Sequence, residues 1–482
     1  MQIHNTVSGE KEAFSPQDGG LEKPDRSGGK SLRSDAKKIR MYVCGITPYD
    51  KSHLGHARTL CSFDTIRRYF EFRGFKVTYV QNVTDIDDKI IRRAHERKML
   101  PLELSGKYAE ESAREFAGLG ILKPDFEPKV SEHIPEIIAM IAKIVKNGYA
   151  YITESGVYFD VEKFKGYGAL SHQTIETVQS GARIEVDEKK KHPADFALWK
   201  FGEERGVTFD SPWGRGRPGW HIECSAMSTA QLGDTLDIHG GARDLIFPHH
   251  ENEIVQSEAA TGKKFVKLWM HTGFLTVNGE KMAKSLGNFI TIEDGLKKYA
   301  PQQIRMFFAA THYRSPIDFS EDAIVAAGNS LETLHSAIHA AKSYPLPATG
   351  TVKLADAAHD AEKKFAAAMD DDFDAPAAFA ALFSLARKMS GACSEGSAGK
   401  MDALAAAATL EKLLAIFGLE PHEEKKKAGD ISDKEIETLL KKRDDARKTK
   451  DYAASDKIRK ELQDAGIILE DRKDGSTAWR RK

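Results

Sequence analysis

Residues 38–85 read KIRMYVCGITPYDKSHLGHARTLCSFDTIRRYFEFRGFKVTYVQNVTD, and their pattern indicates the fold class of the chain. Its apolar start predicts a strand that ends at Cys44, and KVTYVQNVTD predicts a second strand. Between them apolar residues recur at helical spacing, at Leu60, Phe63, Ile66 and Phe70, and Gly74 stops the predicted helix. A strand, a helix and a strand joined in this way form a βαβ unit and predict a parallel sheet.

The composition is that of an ordinary globular chain. Its 482 residues are enough for about three domains. Apolar residues make up 41% and charged residues 30%, which excludes disordered, collagen-like and disulfide-scaffold proteins. The net charge is −1, so composition alone indicates no nucleic-acid partner, although a local basic surface remains compatible with it.

The sequence also bears on the compartment. The N-terminal segment MQIHNTVSGEKEAFSP lacks the apolar run of a signal peptide, and no stretch of about 18 uncharged apolar residues occurs. We therefore expect a cytoplasmic protein without a membrane partner. The four cysteines are too few for a disulfide frame, and in a reducing compartment they are buried thiols, metal ligands or nucleophiles.

Outside the βαβ unit the composition changes along the chain. The residues from 17 to 38 are rich in Gly, Ser and Lys and predict a flexible insert, and 95–215 mixes predicted helices with short strands as a connective region. Alanine dominates 321–420, which predicts a helical bundle. After a charged linker, the residues from 441 to 482 hold 14 Lys+Arg against 9 Asp+Glu. We expect three domains, at 1–320, 321–420 and 421–482.

The segment His53-Leu54-Gly55-His56 opens the predicted helix of the βαβ unit. Its two imidazoles lie three residues apart, on one face of the first turn, where free N–H groups and the helix dipole attract anions. Gly55 removes a side chain where a ligand would approach. A random HxxH is more often a pair of surface or capping histidines, but ligands bind at the carboxyl end of the first strand in parallel sheets, which favours a function.

A second motif, Lys281-Met282-Ala283-Lys284-Ser285, follows the turn VNGE. Two lysines three apart on a loop fit a polyphosphate whose charge grows in a transition state, whereas in isolation a solvated surface loop is the better interpretation. Together, HxGH near the start and KMxKS far downstream resemble the paired signatures of class I aminoacyl-tRNA synthetases.

Longer segments narrow the resemblance. MYVCGITPYDKSHLGHAR, NVTDIDDKI, ADFALWK, PGWHIECSAM, DIHGGARDLIFPHHENEIVQS and GEKMAKSLGNFI resemble cysteinyl-tRNA synthetases, and the resemblance covers nearly the whole chain. The chain departs from the family pattern at Ile46, Pro48, Ala242, Ala283 and Asp374-Ala375 and in the insert. None of these departures removes a group that we assign to catalysis, and the change at Asp374 lies in the predicted helical bundle.

The resemblance implies a zinc site. Thiolates and imidazoles are the ligands that zinc favours, but the sequence has no CxxC, and its one local pair is His249 and Glu253 at i, i+4. From the residues alone each thiol reads as a core cysteine. The family resemblance implies that one zinc ion is bound by four residues: Cys44, Cys224, His249 and Glu253. We expect Cys61 to pack in the core and Cys393 to be a loop thiol without a function.

A metal makes physical sense for a cysteine substrate. Serine is nearly isosteric with cysteine, and protein synthesis needs a discrimination of about 10⁴–10⁵. That factor corresponds to about 5–7 kcal/mol, whereas apolar contacts to one small group supply about 1–3 kcal/mol. Zinc closes this gap because a thiolate is a softer ligand than a hydroxyl. No editing domain is then needed.

The resemblance implies a reaction in two steps. ATP with Mg²⁺ activates L-cysteine, and tRNA-Cys then accepts the cysteinyl group. The resemblance implies that ATP is bound by six residues: His53, Gly55, His56, Lys281, Lys284 and Ser285. The two histidines and two lysines among them are the expected catalytic residues. The resemblance implies that Thr84 and Trp220 line the cysteine pocket and that the bundle and the tail bind tRNA. The contacts expected in the tail are Arg443, Arg447, Lys457, Arg459 and Trp479. We expect a monomer.

Two alternatives remain open. One is a cysteine ligase of thiol biosynthesis with an amino-sugar acceptor, which shares the catalytic domain and lacks the anticodon tail. The other is a non-catalytic RNA- or zinc-binding relative, which should have lost a signature histidine or lysine.

Overall fold

The computed structural model describes 1–16, 37–174, 190–282, 287–421, 431, 433–471 and 477–481. Most of the predicted insert, and the stretch 283–286 with Ala283, Lys284 and Ser285, therefore lie outside the described residues, as does the side chain of Lys281. The chain divides into two units. The first holds Met1–Ala327, Ala368–Pro376 and Ile416–Gly418, and the second holds Gly328–Ala367, Ala377–Ala415 and Leu419–Lys482.

A four-stranded parallel sheet forms the centre of the first unit, in the order β10-β9-β3-β4. Its strands are β3 (Lys38–Ile46), β4 (Lys76–Val83), β9 (Leu236–Ala242) and β10 (Val266–Thr272). Helix α1 (Leu54–Phe72) connects β3 to β4, which confirms the predicted βαβ unit. Strand β3 runs two residues beyond its predicted end at Cys44.

Packing on both faces explains why β3 reads as a continuous apolar run. Met41, Tyr42 and Val43 point alternately to opposite faces, and all three have no exposed surface. On β9, a Cβ added to Gly240 would lie 2.2 Å from the ring of Phe63 on α1. The glycine therefore lets the helix pack directly against the strand.

The order of the sheet decides where a ligand can bind. The chain leaves β3 toward β4 on one side, while β9 pairs with β3 on the other side. In open parallel sheets the crevice at such a reversal, beyond the carboxyl ends of the strands, is the usual ligand site. The end of β3 and the start of α1 lie at this position.

The connective region contains a second, antiparallel sheet in the order β5-β6-β7-β8 and the helix α4. The first unit also contains a small sheet in the order β12-β11-β13 and an antiparallel pair of β1 with β2. The bounds of these and other elements of the first unit are β1 (Gln2–Asn5), β2 (Glu10–Ala13), α2 (Asp88–Arg97), α3 (Pro101–Gly118), α4 (Ile134–Lys146), β5 (Ala150–Ile152), β6 (Gly156–Phe159), β7 (Phe196–Phe201), β8 (Gly216–Pro218), α5 (Trp220–Leu232), α6 (Glu251–Thr261), β11 (Leu275–Val277), β12 (Glu280–Lys281), α7 (Ile292–Lys298), α8 (Pro301–Ala309) and β13 (Ile317–Phe319).

Helices occupy most of the rest of the chain. The predicted bundle is present as four helices, α9 (Glu321–Ser343), α10 (Leu354–Asp370), α11 (Ala375–Ser394) and α12 (Lys400–Ala415). Small side chains permit close helix packing here, since Ala403, Ala406 and Ala407 are fully buried on one face of α12. Cys393 lies in α11 and is buried, so its assignment to a loop is wrong.

The C-terminal tail folds as two helices and a hairpin. They are α13 (Asp433–Lys448), α14 (Tyr452–Asp464), β14 (Ile467–Asp471) and β15 (Thr477–Arg481). A small core of Ile436, Leu440, Leu462 and Ile467 holds them together, with Trp479 packed against it. Among the described residues, no helix is long and apolar enough to cross a bilayer.

Candidate active site and metal centre

Four donor side chains from three distant parts of the sequence meet beyond the end of β3. Cys44 comes from that strand, Cys224 from α5, and Glu253 from α6, while His249 lies in the turn before α6. Their ligand atoms all lie within 4.8 Å of one another, and all four residues are buried. The structure thus brings together the complete set of predicted metal ligands.

His249 differs from the expectation in its local structure. The i, i+4 spacing predicted that it shares a helical face with Glu253. Instead, it belongs to a π-helical turn, Ile246–His250, that leads into α6, and Phe247 within it has extended backbone angles. The turn still places His249 Nε2 3.0 Å from Glu253 Oε1.

The distances within this group match a tetrahedral zinc site. With Zn–S of about 2.3 Å and Zn–N or Zn–O of about 2.0 Å, a tetrahedron puts two sulfurs about 3.8 Å apart, sulfur and nitrogen or oxygen about 3.5 Å apart, and nitrogen and oxygen about 3.3 Å apart. Cys44 Sγ lies 3.9 Å from Cys224 Sγ, 3.5 Å from His249 Nε2 and 3.7 Å from Glu253 Oε1. Both the donor types and their spacing fit the ion.

The electrostatics of the group favour charge on some of its members. The hydrogen bond from Cys44 lowers the pKa of Cys224 to about 6, whereas burial raises the pKa of Cys44 well above its usual value. Burial opposes charge on Glu253, yet His239 and His249 together lower the pKa of this carboxyl to about 2. A thiolate and a carboxylate are therefore available to a cation without further deprotonation.

A layer of histidines surrounds the four donors. His239 Nε2 lies 2.8 Å from Glu253 Oε2, and its Nδ1 lies 3.1 Å from the carbonyl of Tyr42. His250 Nε2 lies 3.3 Å from Cys44 Sγ, and its Nδ1 lies 2.7 Å from His271 Nε2. Such outer partners orient ligating side chains. His239 and His250 lie in the segment DIHGGARDLIFPHHENEIVQS that resembles the family, and His271 lies outside the resembling segments; none of the three was predicted to have a role.

Three of the four donors, Cys44, Cys224 and His249, line one end of a cavity of ≈ 340 Å³. Its wall contains the predicted residues Thr84 and Trp220, and the indole of Trp220 stacks on the ring of His249 at 4.6 Å. Asn82 donates to Thr84 Oγ1 over 3.0 Å and accepts from the amide of Gly45 over 2.9 Å. Other wall residues that sequence reasoning missed are Tyr49, Asn82, Lys89 and Phe274.

The other end of the cavity is the start of α1. His53 is its N-cap, and the Nδ1 atom of His53 accepts from the amide of Gly55 over 3.1 Å. His56 Nδ1 lies 3.4 Å from the amide of His53, and the two rings stack with centroids 3.7 Å apart. Burial lowers the pKa of His56 well below its usual value, so this imidazole is neutral. The capping interpretation and the functional one are therefore compatible.

The lysine motif can be placed only by its flanks. Lys281 ends the hairpin of β11 and β12, and Met282 lines the cavity beside Gly55. Downstream, the amide of Leu54 donates to the carbonyl of Ile290 over 3.1 Å. The positions assigned to Lys284 and Ser285 lie outside the described residues and stay predictions.

One predicted tRNA contact needs correction. The side chain of Arg443 is 3% exposed, and its guanidinium donates to both carboxylate oxygens of Asp471 over 2.8 and 2.9 Å. It stabilises the tail rather than facing solvent. Lys457 and Arg459 are exposed, and Arg447 is exposed but paired with the same carboxylate.

Three family models match consecutive parts of the chain. Residues 31–329 match the tRNA synthetases class I (C) catalytic domain, 364–420 match the DALR domain, and 432–480 match the Cysteinyl-tRNA ligase anticodon binding domain.

Curated relatives that align over their full length are described as cysteine–tRNA ligases. A protein of Marinobacter nauticus described as Cysteine–tRNA ligase is 46% identical over 488 residues, covering 100% of this chain and 99% of its own length. A Cysteine–tRNA ligase of Haemophilus influenzae is 45% identical over 487 residues, with both chains covered completely.

Solved structures share the fold at low sequence identity. Methionyl-tRNA synthetase of Mycobacterium tuberculosis in complex with methionyl-adenylate aligns with a TM-score of 0.60 and 15% identity, over 80% of this chain and 90% of its own. A LeuRS of Agrobacterium radiobacter aligns with a TM-score of 0.59 and 11% identity, over 80% of this chain and 86% of its own. The predicted fold class, a Rossmann-like parallel-sheet domain followed by helices, is confirmed. The chain belongs to the cysteine–tRNA ligase family of class I aminoacyl-tRNA synthetases.

Proposed function

We propose that the chain activates L-cysteine with ATP to form cysteinyl-adenylate and pyrophosphate, and then transfers the cysteinyl group to the terminal ribose of tRNA-Cys. One observation carries the proposal: a single cavity joins the buried donors Cys44, Cys224 and His249 to the start of α1 with His53 and His56. A thiol-binding end and a phosphate-binding end therefore face the same space.

The α1 end of the cavity binds the phosphates. Both histidines use Nδ1 for the helix cap, which leaves each neutral ring with an N–H at Nε2 to donate to an oxyanion. Gly55 leaves room for the triphosphate, and Lys281, Lys284 and Ser285 bind the departing pyrophosphate, whose charge Mg²⁺ would also neutralise. The cysteine carboxylate attacks the α-phosphate, so catalysis consists of positioning and charge stabilisation.

The opposite end holds the amino acid. Thr84 and Trp220 line the wall against the substrate, with Asn82 fixing the hydroxyl of Thr84. Cys44, Cys224, His249 and Glu253 would hold one zinc ion. That ion would supply a soft Lewis acid that favours a thiolate over a hydroxyl, which is the difference between cysteine and serine.

The domain assignment follows from the same reaction. We assign 1–320 to catalysis, 321–420 to the tRNA stem, and 421–482 to the anticodon. The match of 31–329 to a catalytic-domain model and of 432–480 to an anticodon-binding model supports this assignment. Exposed Lys457 and Arg459 are available for phosphate contacts. The chain acts as a monomer in the cytoplasm, where charged tRNA is used for translation.

The two alternatives are not favoured. An amino-sugar ligase would lack the anticodon-binding segment, and this chain matches it over 432–480. A non-catalytic relative would have lost a signature residue, and both histidines and both lysines are present in the sequence.

Cysteine-dependent exchange of pyrophosphate into ATP, run beside charging of tRNA-Cys, tests the proposal. We expect both activities with cysteine. Exchange without charging of tRNA, together with cysteine transfer to an amino sugar, would favour the thiol-biosynthesis ligase, and the absence of exchange would contradict the enzymatic assignment.

A further inference from the structure

Arg58 is a buried cation that the proposed chemistry does not use. It lies on α1 two residues after His56, is 1% exposed, and forms no ion pair with any residue that the structure describes. Buried charges are normally paired with an opposite charge. Burial lowers the pKa of Arg58 to about 10, so the guanidinium still carries its charge at neutral pH.

The partners of this guanidinium are main-chain carbonyls. Nε donates to the carbonyl of Gly273 over 3.4 Å, and Nη2 donates to the carbonyl of Ser315 over 2.6 Å and lies 3.4 Å from that of His312. Gly273 directly precedes the segment that enters β11, and Ser315 precedes β13, which pairs with β11. Arg58 thus connects α1 to the base of the small sheet.

That sheet leads into the lysine motif. Strand β11 pairs with β12, which ends at Lys281. On the downstream side, Leu54 donates to Ile290 over 3.1 Å, and Ile292 donates to the carbonyl of Ser52 over 3.0 Å. The first turns of α1 therefore hold both flanks of the lysine motif, with Arg58 on the upstream flank.

The carbonyls that Arg58 binds are fixed from their other side. Asp372 has no exposed surface, accepts from Tyr313 Oη over 2.8 Å, and accepts from Arg314 Nε over 2.7 Å. The amide of Gly273 donates to the carbonyl of Tyr313 over 2.8 Å. Arg58 therefore binds α1 to a segment that is itself held by the hydrogen bonds of Asp372 and Gly273.

Resting on the proposed function, we infer that Arg58 is a positioning residue for adenylate formation: it fixes the hairpin that carries Lys281 relative to His53 and His56. Groups from α1 and from the lysine motif must converge on one triphosphate, and a misplacement of about 1 Å can cost about 10²-fold in rate. The guanidinium donates from two separate nitrogens, Nε and Nη2, to carbonyls of two segments, whereas a lysine offers one donor atom on a flexible stem.

The two half-reactions separate this role from a purely structural one. The lysines act on departing pyrophosphate, whereas transfer from cysteinyl-adenylate to tRNA does not involve it. We expect Arg58→Lys to lower kcat of pyrophosphate exchange by about 10-fold or more, with the KM for cysteine and the single-turnover transfer rate unchanged. Equal losses in both half-reactions, or a wild-type exchange rate, would overturn the inference.

A double-mutant comparison sharpens the test. If Arg58 acts through the lysine motif, Arg58→Lys should slow exchange little further in a Lys284→Ala background, because effects through one unit are not additive. Losses that multiply would count against it. The matched control is Arg305→Lys, since Arg305 is equally buried but is paired with Asp64 farther along α1. This control should lower thermal stability without a selective loss of exchange. Failure of the proposed function would appear differently, as no cysteine-dependent exchange in the unaltered chain.

Discussion

His53 and His56 serve the fold and the site with different atoms of the same ring. Each Nδ1 faces a backbone amide of the first helical turn, and this contact fixes the ring and the tautomer. The remaining N–H of each neutral ring is then a directed donor that carries no charge to be desolvated. A pair that caps a helix is therefore also prepared to bind a phosphate.

Lys284 gives the first prediction. Lys284→Ala should slow pyrophosphate exchange by about 10²–10³-fold, because its ammonium stabilises charge that develops on the leaving phosphates. Zinc content and circular dichroism should not change. Lys297→Ala is the matched control, since Lys297 pairs with Glu293 on the surface of α7. An unchanged exchange rate for Lys284→Ala would remove the lysine motif from the mechanism.

Glu115 gives a prediction about pH. It is buried on α3, and neither carboxylate oxygen has a hydrogen bond of ordinary geometry with the described residues. Burial, together with the charges of Glu111 and Glu293, raises the pKa of Glu115 from its ordinary value of 4.5 to about 7. The folded chain therefore binds a proton that the unfolded chain has released in this window, so stability falls as pH rises from 4.5 to about 7 and levels off above it.

Glu115→Gln should remove this loss. We expect it to stabilise the chain by about 1–3 kcal/mol above about pH 7.5 and to have little effect near about pH 4.5. Melting curves at several pH values measure the difference. Glu110→Gln, an exposed change on the same helix, is the control. Equal effects of Glu115→Gln at all pH values would contradict the assignment.

Among the helices and strands, the periodicity of apolar residues predicted those elements that pack one apolar face or run against their neighbours. The helical spacing from Leu60 to Phe70 and the apolar run of β3 each reflect one element packed against its neighbours, so α1, β3 and β4 were predictable. The π-helical turn at His249 was not, because a turn of this kind has no periodic signature. The same holds for the tail hairpin of β14 and β15, where no turn motif was identified.

The C-terminal elements give a prediction of their own. A chain truncated after about residue 420 should retain exchange within about 2-fold and lose most of its tRNA charging, because phosphate contacts supply much of the affinity for RNA. The full-length variant with both Lys457→Ala and Arg459→Ala should raise the KM for tRNA and make it less dependent on salt. Normal charging by the truncated chain would contradict the proposed role of the tail.

At the scale of the whole molecule, the topology explains what the sequence alone left open. Cys44, Cys224, His249 and Glu253 are spread over about 210 positions without a CxxC, so the residues alone could not show that they meet; the family resemblance indicated it. The reversal of strand order between β3 and β9 brings them to one crevice. The surrounding histidines remained unassigned, because their positions follow from packing between β9, β10 and α6.

We propose that these four side chains hold the ion that distinguishes cysteine from serine. The most direct test of this proposal is the kcat/KM of pyrophosphate exchange with each amino acid, measured with bound zinc on the wild type and Cys224→Ser, with Cys393→Ser as the control. We predict about one zinc per wild-type chain and a preference for cysteine of at least about 10⁴-fold. Cys224→Ser should lose zinc and raise the KM for cysteine far more than that for ATP, while Cys393→Ser should do neither. A wild type that prefers cysteine to this degree without stoichiometric zinc would contradict the account.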